Sequence, residues 1–295
     1  MRVNPNPMPD LMAALNQTQL EEQQAELQIS TGKSVNEPSD NPTAAALLVE
    51  NNDQATFNSG YLQSISAVQG QLSTASATLS SVTTALQQAL SLGVEAGGGT
   101  LSASERAAIA NQLQGIQSQL VSLANTTYEG NYIFAGTATN TAPFVVDAYA
   151  PSGVYYNGNT DVNTVSIGNG YKLAVNQPGP QLFSAPGNDV FLAINNLIQA
   201  VQNNSGIGTA VNAVSAASSY LSAQTVLYGN ATDQTQSETT YLNAAQLQIS
   251  QQQNTLGGAN MAAAATNLSQ AQTDNQAALA AISKLAQNNL FSYLT

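Results

Sequence analysis

Three groups of residues in this sequence have types and spacings that could do chemistry. Gly32-Lys33-Ser34 matches the end of a phosphate-binding loop, in which successive backbone N–H groups and a lysine cradle phosphates. Such a loop needs a further glycine five residues before the Gly-Lys pair, and that position is Leu27. It must also join a buried strand to a helix, whereas residues 11–29 carry helical periodicity. Glu21, Glu22 and Glu26 offer carboxylates to a cation, yet no adjoining loop supplies the other oxygens of a calcium site, so they read as a polar helix face. Lys33, Glu37 and Asp40 could form an ion-pair cluster that holds a turn, a subunit contact, or a solvated turn; exposed pairs contribute only about 0 to 1 kcal/mol. There is no histidine and no cysteine. Imidazole bases, thiolate nucleophiles, disulfides and the usual transition-metal ligands are therefore absent. No catalytic, cofactor-binding or metal-binding residues are expected.

Composition narrows the partners. Only 7% of the 295 residues are charged, against about 25% in an average soluble domain. The surface must be covered by Gln, Asn, Ser and Thr. The net charge is −12, and the five basic residues, Arg2, Lys33, Arg106, Lys172 and Lys284, are scattered. Phosphate backbones and anionic membrane surfaces both need clustered cations, so neither is an expected partner. No run approaches 18 apolar residues, and the opening MRVNPNPMPDLMAAL has no apolar h-region. If the chain leaves the cell, a route that reads no cleaved signal is expected.

The elements are mostly helices. Ile65, Val68, Leu72, Ala75, Leu79, Val82, Leu86 and Ala89 keep a 3-4-3-4 spacing, which is a coiled-coil seam. Asn41-Pro42 supplies an N-capping amide and a proline at the first helical position, so a helix from Pro42 to about Glu95 is expected, about 80 Å long. Ala96 to Gly99 breaks it, and Ser102-Ala103-Ser104-Glu105 has the pattern of a capping box. The next seam is Ile109, Leu113, Ile116, Leu120 and Leu123, so the two helices form an antiparallel hairpin. The N-terminal segment repeats the spacing with Leu11, Leu15, Thr18, Glu22, Ala25 and Ile29, where Thr18 and Glu22 weaken the seam.

From residue 141 to 185, prolines, glycine turns and the runs GVYYNG, NTVSIG and GYKLAV read as hairpin strands. Asp189 caps a helix through Val201. GIGT leads into another with Val211, Val214, Leu221 and Tyr228, and residues 231–295 read as helix apart from Gly257-Gly258. The expected fold is mainly α: a long helical bundle or coiled coil formed by the N- and C-terminal segments, with a small inserted β-rich domain. Five segments are expected. They are an N-terminal assembly segment (1–40), the N-terminal half of the bundle (41–139), a projecting β-rich domain (140–188), the C-terminal half of the bundle (189–259) and a C-terminal assembly helix (260–295). Alanine-rich seams with few flanking charges suit contacts among many identical neighbours. Tyr128, Tyr132 and Phe134 read as packing aromatics rather than as a sugar or partner pocket.

STGKSVNEPSDNPTAAA resembles the "SSGKRI-N-PSDDP-A" stretch of the bacterial flagellin family, and NTTYEGNYIFAGTATNTAPF resembles the "G-Y-FAG…T-PF" stretch of its hook-associated junction proteins. VYYNGN and VNQPGPQLF resemble parts of the middle domain of that branch. The resemblance picks out Gly32, Lys33, Pro38, Ser39, Asp40 and Pro42 as a family turn, and Tyr132, Phe134, Gly136, Pro143 and Phe144 as a family hinge. It implies terminal helices stacked around a channel axis, for which Leu11, Leu15, Ile29, Leu268, Ile282, Leu285, Leu290 and Tyr293 are the expected contacts. It also implies export through the flagellar type III channel and a structural role at the hook–filament junction. The partners implied are copies of itself in a ring or stack, the first hook-associated junction protein, flagellin, and an export chaperone holding the C-terminal helix. A flagellin filament subunit is the alternative, although the "T-FNG" stretch and the Arg- and Asp-containing C-terminal motif of flagellins are absent. A secreted adhesin acting through residues 140–185 is the remaining one. A glycosidase using acids alone lacks any pocket-forming βα repeat.

Overall fold

A computed structural model describes residues 8–291, with side chains through residue 285. Seven helices and three hairpins follow one another along this part of the chain. Helix α1 (Met8–Thr31) starts where Pro9 can occupy the first turn without losing a bond. Helix α2 (Pro42–Ala96) is capped by Asn41, whose Oδ1 accepts from the Ala44 N–H at 3.0 Å. Helix α3 (Ala103–Ala124) opens with the full capping box: the Ser102 hydroxyl accepts from the Glu105 N–H, and the Glu105 carboxylate accepts from the Ser102 N–H at 2.7 Å.

Three two-stranded antiparallel sheets come next: β1 (Thr127–Tyr128) with β2 (Asn131–Tyr132), β3 (Phe144–Val146) with β4 (Val154–Tyr156), and β5 (Thr164–Gly168) with β6 (Tyr171–Ala174). The runs GVYYNG, NTVSIG and GYKLAV are β4, β5 and β6. The first hairpin lies before residue 140, where the sequence reading places no strand. Two residues per strand leave no alternation to detect, and its turn carries Glu129 with positive φ. A short helix α4 (Gly179–Phe183) leads to α5 (Val190–Asn203), capped by the Asp189 carboxylate accepting from the Leu192 N–H at 2.8 Å. Helix α6 (Ile207–Gly257) is one element of 51 residues where the sequence reading has two. Gly229 lies inside it with open space around, and the buried Tyr228, Ala231 and Leu242 hold the helix through that point. Helix α7 (Met261–Phe291) completes the described chain.

The chain forms two compact units. The larger comprises residues 58–243 and contains most of the core. All eight residues of the α2 seam are buried, as are Ile109, Leu113, Ile116 and Leu120 of α3. The hairpins share this core through Phe134, Phe144 and Phe183, which are nearly inaccessible to solvent. The smaller unit comprises the described parts of residues 1–57 and 244–295. Here α1 packs along α7, and the buried apolar residues are mostly alanines: Ala25, Ala44, Ala264 and Ala271, with Ile249. Small side chains bring helices close but bury little apolar area, so this unit gains far less from burial than the larger one.

Candidate functional site

The family turn in the smaller unit is built from backbone bonds. Gly32 terminates α1 at φ +68°, a conformation that a side chain disfavours, while its N–H still reaches Gln28 O at 2.9 Å. This reversal lets residues 32–34 run beside residues 257–259. The Ser34 N–H donates to Gly257 O at 2.7 Å and the Ala259 N–H to Gly32 O at 2.9 Å, with Lys33 opposite Gly258. The turn after α1 is thus zipped to the turn after α6. Asp40 organises the next bend, its Oδ2 accepting from the Asn36 and Glu37 N–H groups, both at 2.9 Å. Asn36 Nδ2 returns a bond to Lys33 O at 3.0 Å. Of the three readings of Lys33, Glu37 and Asp40, the bonds to Asp40 that define the bend come from backbone amides. Gly32, Lys33, Pro38, Ser39, Asp40 and Pro42 are all exposed. Gly32, Lys33 and Pro38 line an open groove of about 730 Å³ together with Ala45, Leu48 and Gly257.

The backbone bonds from Glu37 and Asn36 hold the Asp40 carboxyl below the usual aspartate range. A carboxyl with a depressed folded-state pKa stabilises the structure above its unfolded pKa, near 3.8, and loses that contribution as pH falls through the folded value. The amide resonances of Asn36 and Glu37 are therefore expected to titrate with a midpoint below 3.8, and Asp40→Asn should abolish that titration. A midpoint at or above 3.8 would show that these bonds do not form in solution.

On the terminal helices, Leu11, Leu15 and Ile29 of α1 and Leu268, Ile282 and Leu285 of α7 are half-buried. Because α1 packs on α7, part of each seam is covered within the chain itself. Leu290 is described only as part of the α7 backbone, and Tyr293 lies outside the described residues. The polar break at Glu22 is answered by α7, where Asn275 Nδ2 donates to Glu22 Oε2 at 3.1 Å. Asn275 has no apolar spacing to draw attention in the sequence. Met12, Leu20 and Leu27 of α1 and Leu279 of α7 remain exposed, as do Leu47, Val49 and Phe57 of α2.

The family hinge lies in the larger unit, inside an aromatic cluster. Phe134 meets Phe183 edge-on with centroids 5.1 Å apart; Phe144 lies 5.4 Å from Phe183 and 5.1 Å from both Phe191 and Tyr156. Gly136 turns the chain at φ +71°, and a Cβ there would overlap Asn159. Its carbonyl accepts from Asn163 Nδ2 at 3.1 Å and from Asn176 Nδ2 at 3.2 Å. Pro143 O accepts from the Asn157 N–H at 2.7 Å, and Tyr132 is half-buried. Asn125, at the end of α3, pairs with Phe144 like a strand neighbour, its Oδ1 accepting from the Phe144 N–H at 2.9 Å and its Nδ2 donating to Phe144 O at 2.7 Å. The sequence reading misses Asn125, Asn159, Asn163 and Asn176, since an amide on a loop has no signature until its partner is known. The arrangement pins hairpins onto helices; among the described residues no group of His, Cys, Asp and Glu could hold a metal.

Comparisons with known proteins agree with this geometry. Residues 6–139 match the bacterial flagellin N-terminal helical region, and residues 205–294 match the bacterial flagellin C-terminal helical region. Flagellar hook-associated protein 3 of Salmonella typhimurium (strain LT2) is 38% identical over 175 residues, covering 59% of this chain and 54% of that protein. Its counterpart from Escherichia coli (strain K12) is 46% identical over 118 residues, covering 40% and 37%. The match thus spans about half the length of the first relative and less of the second. The fold is shared with a flagellar hook-associated protein of Vibrio parahaemolyticus (TM-score 0.67, 21% identity, 73% of this chain and 98% of that one). It is also shared with hook-associated protein 3 of Legionella pneumophila (TM-score 0.64, 13% identity, 70% and 98%). With the turn at residues 32–34 of the N-terminal helical region zipped to the turn at residues 257–259 of the C-terminal one, this chain belongs to the bacterial flagellin family.

Proposed function

We infer that this chain is a structural subunit of the bacterial flagellum that self-assembles at the junction between hook and filament. The observation that carries the reading is the likeness to hook-associated protein 3 at 38% and 46% identity, on a chain with both flagellin helical regions. The physical features support it. The smaller unit buries mainly alanines while leaving Leu20, Leu27, Phe57 and Leu279 exposed, an arrangement that gains stability when neighbours cover those side chains. Its neighbours are copies of itself, the first hook-associated junction protein and flagellin. It reaches its place through the flagellar export channel, handed over by a chaperone, and works as a mechanical connector rather than as an enzyme. No helix among the described residues is long and apolar enough to cross a membrane.

Deleting the gene and viewing the cells by electron microscopy, with flagellin assayed in the medium, tests the reading. Hooks without filaments and flagellin lost to the medium are expected. Intact junctions with no flagellin anywhere would make the chain the filament subunit, and normal motile filaments would remove it from the flagellum altogether.

A further inference from the structure

With no histidine and no cysteine in the chain, the nucleophiles that remain include backbone amide nitrogens beside asparagine side chains. The sequence holds two Asn-Gly pairs, Asn157-Gly158 and Asn169-Gly170. In such a pair the glycine N can reach the asparagine Cγ, because glycine has no Cβ to hinder the approach and its backbone turns freely. The two pairs stand in very different surroundings.

Asn157-Gly158 is clamped. The Asn157 N–H donates to Pro143 O at 2.7 Å and the Asn159 N–H to Ala135 O at 3.1 Å, so the backbone is tied on both sides of the pair. The Tyr156 hydroxyl lies 2.7 Å from Asn159 O, and a Cβ on Gly158 would overlap that hydroxyl and Ala135 O. Rotating Gly158 N onto the Asn157 side chain would break these contacts. Asn169-Gly170 has no such clamp. It is the two-residue loop of the β5–β6 hairpin, beyond the closing pair Gly168–Tyr171, and both residues are exposed. Gly170 has φ +73°, and no atom comes within 4 Å of the place a Cβ would take. Among the described residues, neither the Gly170 N–H nor the Asn169 side chain makes a hydrogen bond.

We propose that Asn169 is a site of spontaneous deamidation and that Asn157 is protected from it. Gly170 N bonds to Asn169 Cγ as its proton passes to water. The Cγ–Nδ2 bond breaks, and Nδ2 takes up a proton and leaves as ammonia. Water then opens the cyclic imide at either carbonyl, giving aspartate or isoaspartate. Both products add a negative charge to a chain already at −12. The hairpin rests on α6 at this point: Gly168 lies against the Glu238 carboxylate, and the Tyr171 hydroxyl donates to Gln234 Oε1 at 3.0 Å. A carboxylate between those contacts repels Glu238, and isoaspartate also adds a main-chain atom to a two-residue loop. Deamidation therefore loosens β5 and β6 on α6.

The purified full-length chain is incubated for several weeks at mildly alkaline pH, native or in guanidinium chloride, then digested with chymotrypsin and read by mass spectrometry. In the native chain, Asn169 is expected to convert at least about ten-fold faster than Asn157, which reacts only when its clamp opens. Unfolded, the two rates should converge. The aged native chain should elute later from an anion exchanger, and Asn169→Gln should remove that shift, because the longer side chain closes a ring far less readily. Amide exchange should show β5 and β6 losing protection in the aged chain but not in aged Asn169→Gln. An unmodified Asn169, or equal native rates at the two sites, would overturn the proposal. A rate difference that persists in guanidinium chloride would trace the selectivity to neighbouring residues and overturn its structural basis. Unchanged protection in deamidated chain would overturn the loosening of the hairpin.

Discussion

Phe134→Ala is expected to lower the unfolding free energy of the larger unit by about 3 to 5 kcal/mol, the usual cost of truncating a buried phenylalanine. Phe134 is completely buried and meets Phe183 edge-on at 5.1 Å, and Phe183 in turn meets Phe144. Removing the ring would open a void at the point where hairpins and helices share one core. The local backbone cannot readily collapse into it. Phe134 O is held by the Gly179 N–H at 2.8 Å and by the Tyr156 hydroxyl at 3.2 Å, while the adjacent turn at Gly136 is fixed by Asn163 and Asn176. Val146→Ala, at a position 71% exposed, should stay within about 0.5 kcal/mol of wild type. Urea unfolding followed by tyrosine fluorescence measures both, since the chain has no tryptophan. A loss below about 1 kcal/mol for Phe134→Ala would mean that the hairpins do not share the helical core.

What the sequence made legible follows from how far apart the interacting residues lie. The α2 and α3 seams are periodic within one helix, and every one of their expected core positions except the half-buried Leu123 is buried. The caps at Asn41, Ser102 and Asp189 are local too, and each makes its expected bond within three residues. The bond of Asn275 to Glu22, 253 residues away, has no such trace. The same holds for Asn125 against Phe144 and for the Asn176 amide under Gly136. The resemblance marked Phe134, Gly136 and Phe144 as a unit without giving the reason. Packing supplies it: Phe144 meets Phe191 of α5, which carried no motif, and Phe134 reaches the same ring through Phe183. The terminal seams were legible as apolar faces, but their spacing alone could not say whether the covering helix came from the same chain. The α1–α7 pairing answers for part of each face, and the exposed Met12, Leu20, Leu27 and Leu279 lie outside that pairing.

That division leads to the second large effect. Ala271→Asp is expected to melt the α1–α7 pair while leaving the larger unit folded, and thereby to abolish incorporation into flagella. Ala271 is 3% exposed, so an aspartate would bring an uncompensated charge into the seam at a cost of about 3 to 5 kcal/mol. A unit whose buried apolar residues are mostly alanines has little reserve against such a loss. Circular dichroism should show helix lost from α1 and α7, and amide exchange should show unchanged protection across residues 58–243. Leu279→Asp supplies the contrast, because Leu279 lies on the same helix but is 52% exposed. Its charge would remain in water in the monomer, so the pair should stay folded. If neighbouring subunits cover that face, incorporation should still fall by at least about ten-fold, because assembly would then bury the charge. Normal incorporation of Leu279→Asp would exclude that face from the assembled contact. A monomer of Ala271→Asp with α1 and α7 still protected would show that the two helices do not pair in solution. The two variants together separate the apolar surface that folds the subunit from the apolar surface that joins it to the next.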